Sequence, residues 1–158
     1  MSEMEGPTRR SFLKVMGAAT AAIAVPQGLW GCVSEVDFEG RNFDWENQAE
    51  AIESQGLYTA DDPGPWAGKE AVHVPVVRFN EGEGSLTVQV MHVMSEEHFI
   101  PLIYVRNQNG HIFGFKALTG TDPEATATFN VPVGTTSVTA FAYCNLHNDW
   151  KNGRLEIG

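Results

Sequence analysis

Cysteine is scarce in this chain: two residues, Cys32 and Cys144, among 158. Cys32 closes the apolar stretch near the N-terminus, so Cys144 stands alone in the rest and no structural disulfide is expected. Positive charge is short as well. Ten Lys and Arg face twenty Asp and Glu, a net charge of -10, which argues against nucleic acid or an anionic membrane as partner. Methionine stops at Met94. No internal repeat or low-complexity tract is present, and no apolar run is long enough for a convincing membrane span.

What is present begins with a signal. "TRRSFLKVMG" carries the pair Arg9 and Arg10 and leads into the short apolar run "VMGAATAAIAV". A basic region followed by a short hydrophobic region is the layout of an export signal. The arginine pair before Ser11, Phe12, Leu13 and Lys14 resembles a twin-arginine signal, the route for proteins that fold before export. The run ends in "LWGC", which resembles a lipoprotein cleavage box with Cys32 as the lipidated residue, although Trp30 is an awkward occupant of it. Ordinary cleavage near this point is the alternative. Residues 1–32 are thus expected to be an export signal, and the mature protein to lie in the periplasm or on the outer face of the membrane, lipid-anchored if Cys32 is acylated.

Residues 33–67 are acidic. Between 35 and 62, nine acids face one base, Arg41. A short helix is expected over "DWENQAEAIESQ", and "DDPGPWAG" then breaks regular structure. This segment reads as a linker that holds the domain off a membrane or packs loosely against it.

From residue 72 the pattern is short, alternating and β-branched. "VHVPVVRF", "SLTVQVMH", "FIPLIYVRN", "HIFGFKAL", "ATATFNV", "SVTAFAYC" and "GRLEI" each read as a strand, and Asn109-Gly110 reads as a two-residue hairpin turn. The expected fold is all-β, an immunoglobulin-like sandwich of about seven strands over residues 68–158.

Five histidines occur: His73, His92, His98, His111 and His147. Singly each is an ordinary polar residue, but together with a lone cysteine they suggest a metal site. Cys144 and His147 can bind one ion from a tight turn, and His92 and His98 bracket a loop between two strands. Spacing alone admits structural zinc, blue copper or iron. Zinc usually asks for more sulfur than one cysteine. Copper of the cupredoxin kind wants two histidines, a cysteine and a weak axial methionine, and no methionine follows His147.

"HVPVV" at 73–77, "HVMSEEHFI" at 92–100 and "YCNLHNDWK" at 143–151, in that order, resemble the superoxide reductase family of neelaredoxins and desulfoferrodoxins. The resemblance implies one non-haem iron (Fe2+/Fe3+) per chain, held by His73, His92, His98 and His147 with Cys144 as axial thiolate. It implies one-electron reduction of superoxide to hydrogen peroxide and an external electron donor, such as a rubredoxin-like or cytochrome protein. Whether the chain forms a homo-oligomer is left open. The four-cysteine rubredoxin-like domain of longer family members is absent from this sequence, so a single-iron form is implied. His111 matches no ligand and reads as a surface residue.

One departure matters. The family commonly has glutamate and lysine just before the first histidine, where this chain has Ala71 and Val72. Lys69 and Glu70 lie just upstream. On a period-two strand a neighbouring position faces the other side, so a bulge or loop must bring Lys69 round as the cation for superoxide and Glu70 as a sixth ligand or proton relay. Otherwise Lys116 or Lys151 takes the cation's place. The alternative reading is an exported cupredoxin-like electron-transfer protein without turnover.

Overall fold

Alternation of side chains along β-strands explains the architecture of the computed structural model, which describes residues 44–158. The expectations for the signal, Cys32 and residues 33–43 lie outside the described residues. Strands β1 (Leu57–Tyr58), β4 (Leu102–Asn107), β5 (Ile112–Ala117), β7 (Ser137–Cys144) and β8 (Asn148–Lys151) form one sheet in the order β1-β8-β7-β4-β5. In the same sheet β9 (Leu155–Glu156) adds to the start of β7. A second sheet has the order β2 (Val76–Asn80), β3 (Ser85–Val90), β6 (Ala125–Asn130). Two sheets face to face make the immunoglobulin-like sandwich expected from the sequence. All seven expected strands are present, β7 at its full expected length and the others with trimmed or shifted ends; β1 and β8 were not expected.

The larger sheet is buried on both faces. Along β7, Val138, Ala140, Ala142 and Cys144 join Leu86, Val88, Ile103 and Val105 in the core between the sheets. Phe141 and Tyr143 point the other way and join Leu102, Tyr104, Ala49 and Ile52. The last two belong to helix α1 (Trp45–Glu53), capped by the Asp44 carboxylate, which accepts from the Asn47 amide at 3.1 Å. Burial of Ile52 alone is worth roughly 1.5–3 kcal/mol. The described part of the acidic 33–67 segment therefore packs against the sandwich, through α1 and then through β1, which pairs parallel with β8.

Two local readings are corrected. The Asn109-Gly110 hairpin closes through three residues, not two. Asn107 donates to the His111 carbonyl at 3.0 Å, and Gly110 takes the left-handed φ of 82° that ends such a loop. The first strand begins at Val76, not before His73. Pro75 has no amide proton to give a ladder, and the residues before it wind into one helical turn, α2 (Glu70–His73).

Candidate metal centre

Three connections at one end of the sandwich deliver five side chains to one point. His73 ends α2, where Lys69 and Glu70 lie one turn back. The inserted length before His73 is taken up by winding, not by a bulge. His92 and His98 flank a tight loop in which the Ser95 amide donates to the His98 carbonyl at 3.0 Å, and the His98 amide donates to Ser95 Oγ at 3.1 Å. Gly120 packs so closely on this loop that a Cβ there would fall 2.3 Å from the Ser95 carbonyl oxygen. Cys144 is the last residue of β7 and pairs with Asn148, so only Asn145, Leu146 and His147 lie in the turn. Asn148 takes a φ of 63°, a left-handed conformation that asparagine tolerates better than most residues.

The donor atoms of His73, His92, His98, Cys144 and His147 all lie within 4.8 Å of one another. His73 Nε2 is 3.0 Å from His147 Nδ1, His92 Nε2 is 3.0 Å from His98 Nε2, and His98 Nε2 is 3.2 Å from His147 Nδ1. Cys144 Sγ lies 3.3 Å from His98 Nε2, 3.5 Å from His147 Nδ1 and 3.6 Å from His92 Nε2. Ligands about 2.1 Å from one ion and at right angles stand about 3.0 Å apart, so these spacings suit nitrogens sharing a cation.

Two of the outer ring nitrogens are also occupied. His73 Nδ1–H donates to the Lys69 carbonyl at 2.9 Å, and His92 Nδ1–H donates to the Val93 carbonyl. Each bond turns the bare Nε2 lone pair inward, as metal-binding imidazoles require. Burial is the first cause holding His92 and His147 down to about 4, and it lowers His73 and His98 too. Burial pushes the Cys144 thiol up, while the backbone amides of Leu146 and His147 pull it the other way. Four neutral imidazoles and a buried sulfur, with no acid among them, form a donor set that a soft divalent ion completes.

The remaining expected residues divide. Lys69 is exposed, and its charge acts on His73, His98, His147 and Cys144, disfavouring the protonated rings and favouring the thiolate. Glu70 is not brought to the cluster: both its oxygens accept from the Gly68 amide at 3.0 Å, and that bond lowers its pKa. Lys116 is spent on the Thr126 carbonyl at 3.0 Å. His111 is exposed at its hairpin, as expected. Met94 packs against the core and joins no donor set, so the cupredoxin arrangement, with two imidazoles and an axial thioether, is not what the chain builds.

Four residues that sequence reasoning passed over hold this centre in shape. Asn145 bridges two ligand loops: its Oδ1 accepts from the Phe99 amide at 3.0 Å, and its Nδ2 donates to the Glu97 carbonyl at 2.9 Å. Trp150 Nε1 donates to the His147 carbonyl at 2.9 Å, and its ring lies 5.2 Å from that of His73. Trp66 sets its ring edge-on to His147 at 4.8 Å. Asn148 supplies the left-handed turn. The asparagines inside "CNLHN" were the one available signal.

Residues 66–153 match the family model for desulfoferrodoxin. The chain belongs to the desulfoferrodoxin family. Among solved structures, a superoxide reductase (neelaredoxin) from Ignicoccus hospitalis is 26% identical, with a TM-score of 0.53, over 64% of this chain and 93% of that one. A superoxide reductase in the oxidised state, 22% identical with a TM-score of 0.51 over 66% of this chain and 98% of that one, supports the fold alone. No curated protein matches. Residues 6–26 match the twin-arginine translocation signal, so this desulfoferrodoxin-family chain carries an export signal ahead of its sandwich.

Proposed function

We propose that the protein is an exported single-iron superoxide reductase, working in the periplasm or on the outer face of the membrane. The observation that carries this reading is the convergence of four imidazole nitrogens and one thiol sulfur within 4.8 Å. His73, His92, His98, His147 and Cys144 would hold one non-haem iron, which when ferrous supplies the single electron that superoxide needs. The overall change is one superoxide, one electron and two protons to one hydrogen peroxide. An outside donor, rubredoxin-like or a cytochrome, restores the electron.

The chain's own residues do the rest. His73 and His92, fixed by backbone carbonyls, present Nε2 without a rotamer search. Cys144 is fully buried, which shields its sulfur from oxidation by the peroxide product. Lys69, one helical turn before His73, supplies positive charge beside the centre and draws in the superoxide anion, in place of the lysine the family carries next to its first histidine. Lipid attachment through Cys32 would keep the domain at the membrane.

The test is superoxide consumption by the iron-loaded protein with a reducing system present. Peroxide forming with no dioxygen released supports reduction; dioxygen released in step with peroxide would make the protein a dismutase.

A further inference from the structure

Exposed large apolar side chains are few among the described residues, and their placement is uneven. Val72 (43% exposed), Val76 (46%), Met91 (62%), Val93 (59%) and Leu146 (54%) account for all but Val133. Each of the five lies next to, or within three residues of, a member of the donor cluster: Val72 and Val76 about His73, Met91 and Val93 about His92, Leu146 before His147. Folding has no use for them in these positions, since the core is built from other residues. Exposed apolar side chains gathered on the segments that carry a site's ligands commonly mark where another molecule sits.

Charge narrows the occupant. Between His92 and His98 the chain exposes Glu96 and Glu97, and the whole protein carries a net charge of -10. A second copy of this chain would bring like charge against like. A partner with an apolar contact patch beside lysines or arginines meets the collar where it carries Glu96 and Glu97, while Lys69 adds one positive charge near Val72.

We infer that this collar is the landing surface for a basic one-electron donor protein, so that the electron enters over the rim formed by Val93, Leu146 and Met91. The inference rests on the reductase reading, which requires an outside electron for every superoxide, and it names where and by what kind of protein that electron is delivered. The step is a transfer of one electron: the donor is oxidised by one unit and the ferric protein reduced by one, with no bond made or broken and no proton needed. Transfer rates fall steeply with distance, and His98 and His147 are the cluster members closest to solvent. A donor at the collar is therefore a donor at short range. A small, weak and transient interface of this kind suits a carrier that must leave after each delivery.

The probe is a basic mitochondrial-type cytochrome c, titrated into the holoprotein by calorimetry at low and at physiological salt. Its reduced form is also mixed with the ferric protein in stopped flow. Binding that weakens with salt is expected. Met91→Ser with Val76→Ser, both at exposed positions, should weaken binding and slow reduction by about tenfold, while oxidation of the ferrous protein by superoxide stays unchanged. Glu96→Lys with Glu97→Lys should weaken binding by about tenfold and flatten its salt dependence. Unchanged affinity in either pair overturns the inference, as does tighter binding by an acidic rubredoxin. A dimer in sedimentation that the serine pair dissociates would overturn it too, by making the collar a contact between copies. If cytochrome c binds and reduces through the collar but superoxide leaves the ferrous protein unoxidised, the reductase reading fails and the landing surface stands.

Discussion

Two buried polar clusters flank the same sheet, one at each face, and they are built on opposite terms. On the face toward α1, Arg106 donates to Glu46 at 2.7 Å and to Glu53 at 3.1 Å, and Tyr104 Oη lies 2.9 Å from Glu53 Oε1 and 2.5 Å from Asp149 Oδ2. One hydroxyl hydrogen serves only one of those carboxyls. The other contact needs a carboxylic proton, and burial supplies the reason for it by pushing Asp149 up to about 8. That cluster carries its own counter-charge. On the face toward the second sheet, His73 and His92 present bare Nε2 lone pairs and Cys144 a thiol, so these donors gather round one point with no counter-charge among them. The first cluster is tied together by its own hydrogen bonds and ion pairs, with only Asp149 Oδ1 left without a partner; the second gathers five metal-ligating atoms around one point that a cation would fill. Buried polar groups without partners are costly, so the difference separates a structural network from a binding site without reference to any relative.

Removing the cation should have the largest effect. Chelation should leave the Arg106 network intact but lower unfolding stability by about 4 kcal/mol where free metal had stood a thousandfold above its Kd. Denaturant melts with and without chelator read this. Equal stability in both would mean that the cluster is content without an ion.

Cutting the other cluster should destabilise without touching colour. Arg106→Met leaves Glu46 and Glu53 without a counter-charge beside a neutral Asp149 and should cost about 1–3 kcal/mol in a urea melt. The visible spectrum of the loaded protein should not move. A spectral change would mean that α1 and the centre are coupled more tightly than their separation on two faces implies.

Acidity sets the clusters against each other in the metal-free protein. Folded Asp149 keeps its proton to about 8, whereas an unfolded carboxyl loses it near 3.8, so over that window the unfolded state binds fewer protons. Its contribution is full below about 3.8 and is lost as pH rises to about 8, by up to about 1.4 kcal/mol per unit. Folded His92 and His147 stay neutral down to about 4, whereas unfolded histidine protonates near 6.5; here stability is lost as pH falls. Asp149→Asn should abolish the alkaline loss and leave the acid loss, measured by melts across this range.

The smallest effect concerns charge beside the centre. Lys69→Ala should slow oxidation by superoxide about tenfold in pulse radiolysis, equivalent to about 1.4 kcal/mol. Val72→Lys in that background should recover part of the rate, and salt should shrink both effects. No change in either variant would mean that the anion is not steered from α2.

The two clusters also differed in how far they could be read from sequence. All five donors of the metal centre were legible through the family resemblance of three short motifs, whereas spacing alone offered only Cys144 with His147 and His92 with His98. The strands carrying them were legible through period-two alternation. The Arg106 network was not: its acids lie 53 and 60 residues away in a stretch whose composition reads as a linker. Nothing in "WENQAEAIE" announces which of its acids will meet an arginine on β4. Strands β1 and β8, two and four residues long, were too short to show a period. The α2 turn was missed because "AVHVPVV" reads as extended, and only Pro75 hinted that the strand starts later.

The central claim is that the inner cluster exists to hold iron through Cys144 and four histidines. Metal content and the visible spectrum of anaerobically purified protein, native and Cys144→Ser, test it most directly. About one iron per chain is expected, with a thiolate-to-ferric absorption on oxidation that the serine variant lacks, because oxygen does not replace the soft sulfur donor. Copper with an intense blue band, or zinc with no colour, would contradict the account.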